Sequence, residues 1–224
     1  MSLMSLRKIG ETGKSSFKKF WFLLWKDNSL KGWIFSLVFL FIFIKLIFFP
    51  FLNLVTGTSL PLAIVESCSM YHEGNFFSSF NNWWTGHETK YENINITQEE
   101  FSDFSFRRGF SKGDILFIVK ANPDKLELGD IILFNSGTSS TPVIHRIIKI
   151  KEEDGERIFS TMGDNNNQML TSGNNPAKID EREIKESQLV GKAVFRITPF
   201  LGWAKLIFFE GIRTESERGF CKEN

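Results

Sequence analysis

An unbroken apolar run near the start of the chain constrains the fold more than any other feature. Trp33 to Leu52 reads WIFSLVFLFIFIKLIFFPFL and carries a single charge, Lys45. About 20 helical residues, at 1.5 Å each, match the thickness of the hydrocarbon core of a bilayer. The sequence therefore predicts a transmembrane helix, with the long Lys45 side chain snorkelling to the headgroups.

The basic residues before this run predict its orientation. Seven lysines and arginines precede it against two carboxylates, and no Lys or Arg follows it until Lys90. By the positive-inside rule, residues 1–31 form a cytosolic basic segment, residues 32–52 span the membrane, and the rest lies outside or in a lumen. The run is too long for a secretory signal and no small-residue cleavage site follows it, so the helix should persist as an anchor. The prediction is a single-pass protein of the cell membrane.

Residues 53–198 are predicted to form an extracytoplasmic β-domain. Short apolar, β-branched runs alternate with clusters of Gly, Pro, Asn and Asp, and no comparable helical period lies between them. The runs are Leu60–Val65, Asp114–Val119, Asp130–Phe134, Val143–Ile150, Arg157–Thr161 and Leu189–Ile197. Two polar insertions, at about residues 73–111 and 165–178, interrupt the strands. An aromatic cluster in the first either dips into the membrane interface or caps the β-core; its members are Phe76, Phe77, Phe80, Trp83 and Trp84.

The remaining segment, residues 199–224, begins with an apolar stretch from Pro199 to Ile212. About a dozen apolar positions are too few to span a bilayer, so an interfacial amphipathic segment is predicted, with a second crossing as the alternative.

The formal net charge of +1 gives no reason to expect a nucleic-acid partner. Cys68 and Cys221 lie far apart and form no metal-ligand or CxxC pattern, so we expect neither a disulfide framework nor a metal or other cofactor.

Two serines directly after the first predicted strand, in the stretch ESCSM from Glu66 to Met70, are candidate nucleophiles. A serine attacks a peptide carbonyl only when a base takes its proton and a donor stabilises the oxyanion. Of the three histidines, His145 lies inside a predicted strand, where its ring can be held in one orientation. Asp164, in TMGDNN after the next strand, offers a carboxylate that could orient this ring.

Five sequence blocks occur in the order ESCSM, KGDILFIV, LGDIILF, VIHRI and TMGDNN. In that order they resemble type I signal peptidase, in the branch of archaea, the endoplasmic reticulum and some Gram-positive bacteria, which uses histidine where the better-known bacterial branch uses lysine. The resemblance covers roughly residues 33–203, apart from the two insertions. It implies a mainly β, signal-peptidase-like domain anchored by an N-terminal transmembrane helix. The implied activity is that of a serine endopeptidase that removes signal peptides from translocated preproteins.

The resemblance also implies roles for single residues. Ser69 corresponds to the nucleophile, and its backbone N–H contributes to the oxyanion hole. Ser67 would offer its hydroxyl to the same oxyanion. His145 falls in the position of the general base, Asp164 supports the site, and a second aspartate should orient the histidine.

The sequence departs from the family pattern at two of these places. Position 170, close to where the second aspartate normally follows, is Leu170, and Asp180 is the best candidate for the orienting carboxylate. The choice between Asp164 and Asp180 stays open. Cys68 replaces the usual glycine, which predicts a negative φ there; nothing nearby in sequence activates its thiol, so Ser69 is favoured as the nucleophile.

The implied partners are preproteins that carry signal peptides, membrane lipid, and a translocon or other peptidase subunits. The substrate would lie extended beside a strand edge. The displaced aspartate and the altered glycine also support an alternative. In that alternative the chain is a catalytically inactive, signal-peptidase-like subunit that binds signal peptides or a translocation partner.

Overall fold

The computed structural model describes residues 18–74, 80–139, 141–213 and 218–222. The chain divides into two compact units between Val55 and Thr56. Phe76 and Phe77 of the predicted aromatic cluster lie outside the described residues.

The described residues of the first unit form two helices, α1 at residues 18–25 and α2 at Leu30–Thr56, whose last residue is the first of the second unit. Helix α2 begins at an N-cap, Ser29, whose hydroxyl accepts a hydrogen bond from the Gly32 N–H at 3.2 Å. Its 27 residues reach a mean hydropathy of 2.6, and in the described part of the chain it is the one helix long and apolar enough to cross a membrane. The predicted anchor helix is therefore present and extends slightly beyond the apolar run at both ends.

A short π-helical turn, Ile44–Phe48, interrupts the α-helical bonding of α2. It directly precedes the turn that contains Pro50. Proline has no N–H to donate, and its ring crowds the carbonyl four residues earlier. A wider turn before Pro50 accommodates both effects without ending the helix.

The second unit is built on one curled, antiparallel sheet of six strands in the order β1-β2-β6-β3-β4-β5. The strands are β1 Leu62–Ile64, β2 Ile115–Val119, β3 Ile131–Phe134, β4 Val143–Glu153, β5 Glu156–Met162 and β6 Leu189–Thr198. Each predicted apolar run contains one of these strands. The predicted fold class, a mainly β domain with an N-terminal apolar helix, is confirmed.

Strand β3 shows why its sequence, IILF, is apolar at every position. Successive side chains of a strand point to opposite faces of the sheet. Ile131 and Leu133 enter one hydrophobic cluster, whereas Ile132 and Phe134 enter another. All four residues are buried because both faces of the sheet are covered.

Helices occur in the first insertion, where the sequence shows no clear helical period. The first insertion contains helix α3, Phe80–Glu92, and helix α4, Gln98–Asp103. Trp83 and Trp84 are buried with aromatic side chains of both helices and with Ile148 of β4. The described aromatic residues of the insertion therefore cap the β-core, which is one of the two predicted alternatives.

The segment after β6 forms a four-residue helix, α5 Trp203–Leu206, and a 3₁₀ turn at Glu210–Ile212. It lies against the loop before β2, where the Gly202 N–H donates to the Gly113 carbonyl at 2.8 Å. Exposed apolar side chains are concentrated from the end of β6 to this turn: Val194, Phe195, Ile197, Phe200, Leu201, Ile207, Phe208, Phe209 and Ile212.

Candidate active site

The two candidate serines lie on a tight turn that leaves β1. The turn closes with a hydrogen bond from the Tyr71 N–H to the Cys68 carbonyl at 3.1 Å. The Asn165 N–H donates to the Ser69 carbonyl at 2.8 Å, and the Asn165 side-chain amide donates to the Cys68 carbonyl at 3.0 Å. Met70 is buried beneath the turn and belongs to the sheet core. Asn165 thus holds the carbonyl groups of the two peptide bonds that flank Ser69.

The side chains of Ser67 and Ser69 are neighbours, with their hydroxyl oxygens 3.1 Å apart. Ser67 is exposed and Ser69 is partly exposed, so both can be reached from solvent. Cys68, between them, does not have a positive φ, as predicted for a residue with a side chain at this position.

His145 lies on β4, opposite Ile132 of β3, and is 3% exposed. Its Nδ1 forms a short hydrogen bond to Oε1 of Glu181, which is fully buried. The Thr161 hydroxyl donates to the same Glu181 oxygen at 2.8 Å, and the Leu170 N–H donates to Glu181 Oε2 at 2.8 Å. Glu181 is therefore held in one orientation and fixes the imidazole through Nδ1, which leaves Nε2 as the acceptor.

Gly163 separates Nε2 of His145 from the nucleophile turn. A Cβ atom built on Gly163 would lie 2.7 Å from the Ser69 carbonyl oxygen and 2.9 Å from His145 Nε2. The backbone of Ser69 and the imidazole thus approach the same small space, which only a glycine leaves open. The Ser69 hydroxyl forms its hydrogen bond with Ser67 and not with His145.

Asp164, one of the two candidates for orienting His145, is hydrogen-bonded to other side chains. It is fully buried and accepts two hydrogen bonds from Arg146, at 2.9 and 2.6 Å. The Tyr91 hydroxyl and Nε2 of His72 each donate to it at 2.9 Å. Although burial acts to raise it, the charge of Arg146 holds the pKa of Asp164 far below its usual range. Asp164 therefore connects β4 to helix α3 and to the end of the nucleophile turn, and its carboxylate accepts hydrogen bonds from Arg146, Tyr91 and His72 rather than from His145.

His72 is buried between Asp164 and an aromatic ring. Its imidazole stacks on Trp83, with centroids 3.6 Å apart. Burial lowers the pKa of His72 to about 4, although the hydrogen bond and the charge of Asp164 act in the opposite direction. His72 is thus neutral at ordinary pH and donates from Nε2.

Asp180, the other predicted orienting residue, lies at the surface. Its carboxylate binds the Arg182 guanidinium, with contacts of 2.9 and 2.5 Å, and this hydrogen bonding lowers the pKa of Asp180 to about 2. Neighbouring residues of an extended chain point in opposite directions. When Glu181 faces inward to His145, Asp180 is therefore directed outward, and the expectation that it orients the histidine does not match the geometry.

The expectation that no disulfide forms is also wrong. Cys68 and Cys221 are bonded, with their Cα atoms 5.3 Å apart. The bond joins residues 153 positions apart, so neither spacing nor a local motif could reveal it. It also removes the Cys68 thiol as a rival to Ser69. Among the described residues, no group of three or more His, Cys, Asp or Glu is arranged to hold a metal ion.

Comparison with known proteins supports the resemblance to signal peptidase. The chain is 30% identical over 104 residues to the signal peptidase complex catalytic subunit SEC11C of Homo sapiens, and equally to that of Canis lupus familiaris. These matches cover 46% of this chain and 52% of each relative. These catalytic subunits are homologues of this chain. The match to SEC11 of Candida tropicalis is 27% over 108 residues and covers 48% of this chain and 63% of that relative.

The match is partial in length. The chain spans about half the length of the SEC11C relatives that it matches. No family model matches the chain. These relatives confirm the predicted resemblance. The activity, substrates and partners of the whole protein are proposed below.

Proposed function

We propose that this chain is a membrane-anchored serine endopeptidase that removes signal peptides, with Ser69 as nucleophile, His145 as general base and Glu181 as the residue that orients His145. One observation carries this proposal. A buried imidazole is fixed by a carboxylate at Nδ1, and its Nε2 faces the same space as the turn that bears Ser69. This is the order of groups that a serine peptidase needs. The names of the homologous subunits support the same class of activity.

In the acylation step, the Ser69 hydroxyl turns from Ser67 towards His145. Its proton passes to His145 Nε2, while Oγ forms a bond to the carbonyl carbon of the scissile peptide. The C–N bond of the tetrahedral intermediate then breaks, and the departing amine of the mature protein takes the proton from His145. Glu181 stabilises the imidazolium through Nδ1 while it exists.

The oxyanion of this intermediate needs donors, and two lie at the turn. The Ser69 N–H is one, and the Ser67 hydroxyl, 3.1 Å from Ser69 Oγ, is the other. Rotation of Ser69 towards the base releases Ser67 for this role. Water, activated by the same histidine, then cleaves the acyl-enzyme and frees the signal peptide.

Asp164 has a supporting role in this proposal. Its bonds to Arg146 and His72 fix the loop that carries Gly163 and Asn165. Asn165 in turn holds the nucleophile turn. The carboxylate therefore acts on the position of the serine, and it forms no hydrogen bond with the base.

The anchor and the disulfide support a location for this activity. Helix α2 fits a single-pass membrane protein, and disulfides persist on the oxidising side of a membrane. The bond between Cys68 and Cys221 therefore favours a site outside the cytosol, in agreement with the basic residues before the helix. The exposed apolar residues from Val194 to Ile212 suit contact with lipid.

The homologues are named as subunits of a complex, and we propose that this chain also works beside further subunits.

The test is cleavage of a model preprotein by the purified full chain in liposomes. Ser69→Ala and, separately, His145→Ala should abolish processing. Matched controls are Ser102→Ala, which removes an exposed hydroxyl of α4, and His87→Gln in α3. Both controls should process the substrate at the rate of the unchanged chain. Cleavage retained by either purified active-site variant would exclude this mechanism.

The same assay distinguishes the peptidase from the inactive-subunit alternative. That alternative is supported by the hydrogen bond that Ser69 forms with Ser67 in place of His145. An inactive subunit would bind a fluorescent signal peptide without converting it. Turnover by the unchanged chain, lost in Ser69→Ala while binding persists, is the result expected for the peptidase.

A further inference from the structure

The nucleophile turn is held from a second side by the last part of the chain. We call residues 202–213 and 218–222 the C-terminal clasp. The clasp is seated on the loop before β2. There the indole N–H of Trp203 donates to the Lys112 carbonyl at 3.0 Å, and the Lys112 ammonium pairs with Glu210 at 2.6 Å. Trp203 also contacts the ring of Phe220, with centroids 5.0 Å apart.

From this seat the clasp contacts the residue that opens the nucleophile turn, Glu66. The Arg213 guanidinium donates to the Glu66 carbonyl at 3.0 Å and pairs with its carboxylate at 2.9 Å. The Lys205 ammonium binds the other carboxylate oxygen at 2.9 Å. Glu66 is thus fixed in both its backbone and its side chain.

The end of the clasp is bonded covalently to the same turn. The disulfide of Cys221 joins it to Cys68, the residue directly before Ser69. The Asn165 side-chain amide donates to the carbonyls of both Cys68 and Lys222, each at 3.0 Å. The peptide that carries the Ser69 N–H therefore lies between the Asn165 loop and the disulfide.

We propose that Cys68 and Cys221 are positioning residues, and that their disulfide is required to hold Ser69 in a reactive position. This rests on the proposed peptidase function. Cys68 is part of the nucleophile turn. The disulfide joins its side chain to the clasp, which Trp203 and Arg213 hold in place. Reduction leaves the sheet and its cores intact but releases the turn on one side, so that the donor and the nucleophile at residue 69 lose their fixed geometry. A displacement of about 1 Å at a reacting group can cost about 100-fold in rate.

Reduction of the disulfide between Cys68 and Cys221 is a two-electron exchange. A dithiol reductant transfers two electrons and two protons to the disulfide, which yields the two thiols of Cys68 and Cys221 and a disulfide in the reductant. The chain contains two cysteines, both in this bond, so a reductant has no other disulfide to act upon. Glutathione disulfide restores the bond in two successive thiol–disulfide exchanges, which release two molecules of reduced glutathione.

The experiment compares the oxidised and the dithiothreitol-reduced full chain in liposomes, at a temperature where both forms remain folded by circular dichroism. Reduction should lower kcat for a signal-peptide substrate at least tenfold while KM stays within twofold, and glutathione disulfide should restore kcat. Cys221→Ser should reproduce the low kcat of the reduced form and should not respond to the reductant. An unchanged kcat in the reduced, folded chain overturns the proposal.

Hydrogen exchange gives a readout that needs no activity. The N–H groups of Tyr71 and Asn165, which donate to the carbonyls of Cys68 and Ser69, should exchange at least tenfold faster after reduction, whereas the amides of β3 and β4 should be unchanged. If the oxidised chain does not cleave its substrate, the proposed function fails, and the exchange of the Tyr71 and Asn165 amides still tests the clasp. Equal exchange in the two forms contradicts it. Arg213→Gln, which breaks the contact with Glu66 and keeps both cysteines, should accelerate exchange in the same residues.

Discussion

Replacing Asp164 with asparagine should leave a buried arginine without its counter-charge. Arg146 and Asp164 are both fully buried, and their side chains share two hydrogen bonds. The other acceptors of Arg146 are backbone carbonyls, including those of Ser105 and Gly129, which satisfy N–H groups but carry no net charge. Removing one partner of a buried ion pair costs about 3–5 kcal/mol because the remaining charge is uncompensated. For a unit of this size, each kcal/mol corresponds to about 2–4 °C in Tm, so we expect a decrease of about 6–20 °C.

The assay is thermal unfolding of the purified full chain, followed by tryptophan fluorescence. Trp83 and Trp84 pack beside this network and report on its loss. Asp180→Asn is the matched control, because it removes a carboxylate at the surface whose pair with Arg182 is solvated. Its Tm should stay within about 2 °C of the unchanged chain. If the Asp164 and Asp180 variants melt at the same temperature, the assignment of Asp164 as the stabilising counter-charge of buried Arg146 is refuted.

Three further predictions concern the site. Glu181→Gln should lower kcat by about 10²- to 10⁴-fold, because the amide no longer stabilises the charged form of His145, and Glu181→Asp should recover part of the loss in the same kinetic assay. The pKa of His72 is lowered to about 4 in the folded unit, so between about pH 6.5 and 4 the unfolded chain binds more protons, and Tm should fall as the pH falls through this window. His72→Gln should flatten that dependence, and an unchanged slope would contradict the argument. Gly163→Ala places a methyl group 2.9 Å from His145 Nε2 and should lower kcat about 100-fold, whereas Gly173→Ala, with nothing within 4 Å, should be neutral in a parallel measurement.

The strands were predictable because their cause is local. A run such as Ile131–Phe134 is apolar, β-branched and bounded by turn residues, and those properties alone favour a buried strand. The short helices α3 and α4 lie in a polar and aromatic stretch without a strong period, and they gain stability from burial of residues such as Trp84 and Phe101. One local signal for α4 was readable, since Thr97 and Glu100 form a capping box.

The candidate site was predictable in part. The positions of Ser69 and His145 in the sequence blocks identified both, and the structure places the Ser69 backbone and the imidazole around Gly163. The choice of carboxylate was not predictable, because Asp180 and Glu181 are adjacent and only tertiary packing decides which one faces inward. The disulfide depends on the path of the chain after β6, which no short motif encodes.

The central place of β6 has a consequence for how the protein is made. Strand β6 is the last of the six strands in the chain, yet it lies between β2 and β3 and joins the β1–β2 pair to the β3–β4–β5 ladder. Ser69 follows β1, whereas His145 belongs to β4. Until residues 189–198 have been synthesised, these two parts of the sheet have no strand in common. The candidate nucleophile and base therefore come together only after β6 has been made, and a newly made chain has no assembled site before that moment.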